Sequence, residues 1–502
     1  MKTISRRTFL TRTASATAAA LVSDRLSALP FDESLQAKLA SDPLRPQYHL
    51  LPKANWMNDP NGPLFYDGRY HMFFQYNPNG AFWGSMHWAH AISPDLIHWT
   101  HEPVAMAPTP NGYDRDGVFS GSAVMDGRTP TMIYTGVLPP ATSAEITLDD
   151  GNHKWREVQC LATSDDPMLR TWKKLPEPAI AYPPKGMQVT GFRDPTVWLE
   201  GDDWYLTLGS GFKGKGGAIL LYRSKDLRHW EYVHPLVEGA GNGKASVNPV
   251  DNGEMWECPD FFPLGDKHVL VISTMGKVRW KTGTYREHRF TVEKEGVVDW
   301  GSYYAAKTQA TRDGELILWG WIPETRPEEE YRAAGWAGLM SLPRTLSLGK
   351  DGTLEMTVAP AAELLRGEHV AVAPGIARAE KEKQIMDLRI RNLAAEMQVE
   401  CSGEFQMELV SESGERFAEI VCGKSELRVN EVRGDLDGEG VSLRVFLDGS
   451  SLEVCANRRT AITARVYRIP RGDLRVKVRN VEGLRSMDVW AMRAISKDRL
   501  TT

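Results

Sequence analysis

A weak internal repeat constrains this chain more than any other feature. Five stretches share one layout: "MNDPNGPLFYDGRYHMFFQYN", "VFSGSAVMDGRTPTMIYTGV", "GFRDPTVWLEGDDWYLTLGS", "WECPDFFPLGDKHVLVISTM" and "YYAAKTQATRDGELILWGWI". Each opens on a polar or acidic motif, runs through an apolar strand to a tight Gly/Asp turn, and returns in a second apolar strand. A second recurrence, "SPDLIHWT", "SDDPMLRTWKK" and "SKDLRHWEY", follows three of the hairpins and brings a serine, a turn acid, a leucine and a tryptophan (Trp99, Trp172, Trp230) each time. Short strands such as "HWAHAI" precede it, so it reads as the turn into a fourth strand. Four strands per unit, repeated five times, predict an all-β, five-bladed propeller over residues 40–345, with the opening motifs converging on its channel.

Beyond this region the pattern changes. "PAAELLRGE" reads as a short helical connection within a linker at 346–369, and alternating segments such as "SLRVFLDGSSLEVCAN" and "AITARVYRI" predict a β-sandwich over 370–497. Its acids Asp448 and Glu453 read as solvated or structural. A chain of 502 residues is long enough for two such domains. With 60 basic against 65 acidic residues it offers no field for nucleic acid or an anionic membrane, which points to a neutral partner. Sixteen tryptophans supply faces suited to sugar rings, although core packing must claim most of them. The five cysteines are too scattered for a disulfide framework or a zinc site, and nothing implies a metal or other cofactor. Residues 1–30 resemble a twin-arginine export signal, with Arg6 and Arg7 ahead of "TASATAAALV", so an exported protein with no membrane span in its mature form is expected.

Three acids stand at the same point of three different repeats. Asp59 and Asp194 each precede proline, in "NDPNG" and "RDP", and Glu257 lies two residues before Pro259 in "ECPD". Proline pushes its preceding residue toward extended backbone, so Asp59 and Asp194 are expected at rigid, extended strand entrances. One such acid alone reads as a turn former. Three in register, with tryptophans nearby, read as a site.

The boxes "WMNDPNGP", "FRDP" and "WECPD", with "FSGS", "GWAGLMSLPR" and "DGSSLEVCAN", resemble glycoside hydrolase family 32, the β-fructosidases: invertases, inulinases and levanases. The resemblance runs over about residues 45–495 and implies a propeller followed by a sandwich. It implies Asp59 as nucleophile, Asp194 as stabiliser of fructose hydroxyls, and Glu257 as general acid and base. It also implies a fructose pocket lined by Asn58, Gln75, Trp83, Phe119, Ser120 and Arg193. The activity expected is that of a retaining, exo-acting β-fructofuranosidase on fructans (levan or inulin), sucrose, or both. A retaining glycosidase needs one ionised carboxylate to attack and one protonated carboxyl to serve the leaving oxygen. On this reading the charges of Asp59 and Asp194 raise the pKa of Glu257, while Arg193 offsets part of that charge and keeps the aspartates ionised. Three alternatives stand beside it: an arabinan- or xylan-directed five-bladed hydrolase, a fructosyltransferase using the same intermediate, and a fructan-binding propeller without activity. The loop 138–155, which bears on linkage and chain length, carries no readable code.

Overall fold

The computed structural model describes residues 33–140, 142, 148–149, 154–438 and 440–502. The expected export signal lies outside them. Among the described residues, five sheets of four or five strands are followed by two sheets of six. The first four sheets are antiparallel meanders that begin with Asn55–Tyr66, Gly117–Asp126, Phe192–Glu200 and Glu257–Leu264; the fifth begins with Tyr304–Ala310. The opening hairpins turn where Gly and Asp were read. In the first, Tyr66 pairs with Arg69 across Asp67 and Gly68, both at positive φ (46° and 74°), the signature of a turn whose twist matches its strands. The serine–acid–leucine recurrence is likewise one repeated turn. Asp95, Asp166 and Asp226 each accept backbone N–H bonds from residues just downstream, and Leu96, Leu169 and Leu227 all sit at positive φ. Sequence here dictates a local turn, and the turn delivers the chain to the outer strand.

The five opening strands touch in cyclic order, the fifth returning to the first, so their N-terminal ends surround one axis. The motif "GWAGLMSLPR" ties that ring. Trp336–Ala337 adds to the first sheet beside Asn55–Trp56, while Leu339–Met340 pairs with Trp321–Ile322 of the fifth. Gly338 between them has φ +77°, and a Cβ there would stand 2.1 Å from the Met57 carbonyl oxygen, so glycine is required for the crossing.

The domain boundary differs from the sequence reading. Arg344–Leu348 and Leu354–Val358 pair as a hairpin within the fifth sheet, so strand occupies much of the expected linker, which narrows to the 3₁₀ turn Pro360–Leu365. Arg366–Val372 then already pairs with Leu484–Met492 in the sandwich. The two six-stranded sheets pack over a core that includes Met397, Phe405, Met407, Leu443 and Val454.

Asp448 and Glu453 are buried, not solvated. Asp448 accepts the backbone N–H groups of Gln47, Tyr48 and His49, and His49 lies between Asp448 (2.8 Å) and Glu453 (2.9 Å). Glu453 also meets Arg344, which reaches Asp299 at 2.9 Å. This network joins propeller to sandwich, which is the structural branch of the expectation. Burial works against charge on His49, but the two carboxylates outweigh it and raise its pKa to about 9.

Candidate active site

All five opening strands carry the same irregularity. Three steps on the opening strand match two on its neighbour: Met57 to Pro60 against Tyr76 to Phe74, and likewise between Val118 and Gly121, Arg193 and Thr196, Glu257 and Asp260, and Tyr304 and Lys307. A bulge of this kind bends the strand and re-aims side chains. The residues inside the bulges are Asn58–Asp59, Phe119–Ser120, Asp194–Pro195, Cys258–Pro259 and Ala305–Ala306. The acidic motifs are therefore the bulges, and the ring brings them to one place.

Asp194 departs from expectation here. Its φ is 65°, and that of Cys258, also before proline, is 50°, so neither is extended. The bulge overrides the pre-proline preference and holds both in the sparsely populated left-handed region, a strain that the surrounding ladder must sustain.

The carboxylates are buried and linked. Asp59 (5 % exposed) accepts a bond from Asn58 Nδ2 at 3.0 Å on one oxygen and from Ser120 Oγ at 2.7 Å on the other. Asn58 is itself fixed, its Oδ1 accepting the Trp56 indole N–H at 2.7 Å. The Cys258 thiol lies 3.6 Å from Asp59 Oδ2 and 3.5 Å from Asp194 Oδ2, and the Cys258 backbone N–H donates to the same Asp194 oxygen at 2.9 Å. Glu257 Oε1 accepts from Arg193 Nη2 at 2.9 Å, and its Oε2 accepts from the Tyr304 hydroxyl at 2.8 Å. Gln75 donates to the Val118 carbonyl at 2.9 Å, beside Phe119. Trp83 meets Phe119 edge-on with centroids 6.0 Å apart. Direct contacts or adjacency in the chain thus link the nine residues read from the sequence into one neighbourhood of the ring.

Two details differ from the reading. Arg193 bonds the glutamates and not the aspartates, bridging Glu257 to the wholly buried Glu157 at 3.0 Å. Burial lifts the pKa of Asp194 to about 6, with Glu257 and Asp59 adding to burial and Arg193 acting against it. Burial also pushes the Cys258 thiol well above its usual value, reinforced by Asp194 and Asp59, so it stays protonated and can donate to both aspartates.

Glu157, Tyr304 and Trp155 were missed. Glu157 also accepts the Phe192 N–H at 2.6 Å, which fixes the start of the strand bearing Arg193 and Asp194. Trp155 stands 5.9 Å from Trp83 and 5.6 Å from Phe119. The only available signal was a lone acid at the head of the apolar run "VQCLA".

Family models decide the identification: that for the glycosyl hydrolases family 32 N-terminal domain matches residues 49–360, and that for the family 32 C-terminal domain matches 402–491. The chain belongs to glycoside hydrolase family 32. It is 34 % identical over 461 residues to a sucrose-6-phosphate hydrolase of Escherichia coli, covering 85 % of this chain and 90 % of that protein. To a raffinose invertase of Escherichia coli it is 35 % identical over 464 residues, covering 86 % and 90 %. Among solved structures it resembles a family 32 β-fructofuranosidase of Bombyx mori (TM-score 0.74, 29 % identity, 93 % of this chain and 98 % of that one). This family 32 chain is accordingly a glycoside hydrolase, built as a β-propeller followed by a β-sandwich.

Proposed function

We propose that this family 32 enzyme is a retaining β-fructofuranosidase that removes terminal fructose from sucrose and fructans. The observation that carries the reading is the convergence of Asp59 and Asp194, inside their bulges, and Glu257, immediately before its own, into one buried, hydrogen-bonded cluster. Asp59, held on both oxygens by Asn58 and Ser120, attacks the anomeric carbon of the fructosyl unit. Glu257 protonates the departing oxygen, and the charge left on it is met by Arg193 and the Tyr304 hydroxyl. The same residue then takes a proton from the water that releases fructose. Asp194, fixed by Cys258, accepts fructose hydroxyls and adds negative charge beside the oxocarbenium-like centre.

Relatives named sucrose-6-phosphate hydrolase and invertase support fructosyl hydrolysis, and a variant of the similar fructan 1-exohydrolase IIa of Cichorium intybus is known in complex with 1-kestose. Burial supports exo attack: the three acids are buried and Trp83, Phe119 and Trp155, near Asp59 and Ser120, are half-buried, and a chain end reaches buried acids more readily than a mid-chain unit. The leader supports export. Product analysis on sucrose, inulin and levan tests the reading. Free fructose should be the first product, and early mixed oligosaccharides without it would refute exo action. The anomer first released, followed by NMR, should retain configuration.

A further inference from the structure

We propose that Lys307 is a positioning residue for the acid cluster: its ammonium ties together the three bulges that place Asp194, Glu257 and Tyr304, and gives the cluster a second buried cation besides Arg193. The inference rests on the function proposed above and deepens it. Pairing resumes after the bulge at Thr196 in the third opening strand, at Asp260 in the fourth and at Lys307 in the fifth, so these residues hold equivalent places just beyond the bulges. All three are buried, Lys307 at 2 % exposed. The ammonium donates to Thr196 Oγ1 and, at 3.1 Å, to the Pro259 carbonyl oxygen, and the Thr196 hydroxyl donates to that same carbonyl at 2.5 Å. One side chain of the fifth sheet thereby joins the third and the fourth.

Those three sheets are also the strained ones. The first residue of each bulge, Asp194, Cys258 or Ala305, lies at positive φ (65°, 50° and 54°), whereas the bulges of the first two sheets hold no such residue. A left-handed residue other than glycine persists only where its surroundings over-determine it. Ala305 is held on both flanks. Tyr304 before it bonds Glu257 at 2.8 Å, its own N–H donates to Ser273 Oγ at 3.1 Å, and Lys307 follows the bulge with its bonds to Thr196 and Pro259.

The charge of Lys307 is not needed for such a tie. Both of its hydrogen-bond partners are neutral oxygens, and burying an ammonium without a direct counter-ion costs stability that a neutral side chain would spare. What the charge meets is a surplus of carboxylates. Burial raises the pKa of Asp260 and Lys307 acts against it. Burial, then Asp194, Asp59 and Glu257, push the Cys258 thiol up, and Lys307 again acts the other way. That thiol touches both Asp59 and Asp194, so a cation that acts on it acts on them. Arg193 is meanwhile engaged by Glu157 and Glu257. Without the Lys307 charge, the ionised aspartates are harder to sustain.

The test is the pH dependence of kcat and KM on sucrose for the parent, Lys307→Met, Lys307→Arg and Thr196→Val, with urea unfolding of each. Lys307→Met should lose about ten- to a hundredfold in kcat with KM within about threefold, and the acidic limb of its kcat/KM profile should move up by about half a pH unit or more. Lys307→Arg should leave the limb in place. Thr196→Val, which cuts one tie and keeps the cation, should lower kcat by about threefold with the limb unmoved. Should Lys307→Met fail to fold, the double variant with Asp260→Asn, which leaves no Asp260 carboxylate beside the lost cation, should fold and show the same upward limb. An unmoved limb in the folded charge-free variant, or parental activity in Lys307→Met, would overturn the proposal. Loss of the fold in both charge-free variants would overturn it in favour of a purely structural tie. A parent enzyme inactive on sucrose and fructosyl fluoride alike would instead refute the proposed function.

Discussion

Removing the charge on His49 should weaken the joint between propeller and sandwich in a defined pH window. The imidazole is buried between Asp448 and Glu453, and its pKa is raised from 6.5 to about 9. A group whose folded pKa is raised stabilises the fold fully below its unfolded value and loses that contribution as pH rises through the folded one. The window therefore runs from about pH 6.5 to 9. A shift of that size corresponds to about 3 kcal/mol at roughly 1.4 kcal/mol per pH unit. Glu453 is lowered to about 2, with Arg344 and His49 overcoming the effect of burial, but that shift describes the same bonds from the other side and is not added. Equilibrium urea unfolding of the parent and of His49→Gln, followed by tryptophan fluorescence at pH 6 and pH 10, tests this. The parent should lose about 3 kcal/mol more than the variant between the two pH values. Parallel pH profiles would show that His49 is not charged in the fold and would refute the reasoning.

Asp194→Asn should raise stability while abolishing most activity. A carboxylate whose pKa burial lifts from 3.8 to about 6 destabilises the fold once ionised, by up to about 3 kcal/mol above pH 6. A higher urea midpoint at pH 8 is expected, and a lower one would contradict the burial argument. In the parent, kcat/KM should fall as pH drops through about 6 and Asp194 takes up a proton. Gly209→Ala should cost about 1–3 kcal/mol, since its Cβ would lie 2.5 Å from the Trp256 carbonyl oxygen and 3.0 Å from that of Arg193. Thermal unfolding should register that loss, and kcat/KM should fall with it because the strands bearing Arg193 and Glu257 are forced apart. Glu257→Gln should lose about 10²–10⁴-fold on sucrose yet keep reaction with fructosyl fluoride, and azide should speed its second step; equal failure of Glu257→Gln and Asp59→Asn on the fluoride would overturn the acid/base assignment.

The parts of the molecule legible in the sequence were those governed by local chemistry. Asp67–Gly68 announces its turn because positive φ at two successive residues is open only to a few residue types. The leucine at positive φ in each of three outer turns was visible only as a recurring word, because a leucine alone gives no sign of that conformation. The bulges were not legible at all. They exist relative to a pairing partner, so Asp194 looked like an ordinary pre-proline residue while its strand pairing held it at φ 65°. Glu157 and Tyr304 act through Arg193 and Glu257 from other strands, and no spacing rule links them. Asp448 reads as a turn acid before glycine; its partner His49 is 399 residues away, and only the docking of two domains shows that its charge is met.

The central claim is that Asp59 becomes covalently fructosylated. Glu257→Gln incubated with fructosyl fluoride should accumulate the intermediate, because attack needs no proton donor and release lacks its base. Intact mass spectrometry followed by peptide mapping should place one fructosyl group on the peptide containing Asp59, and the double variant that adds Asp59→Asn should carry none. A fructosyl group on Asp194 or elsewhere, or fluoride consumption with inverted fructose and no adduct, would contradict the account.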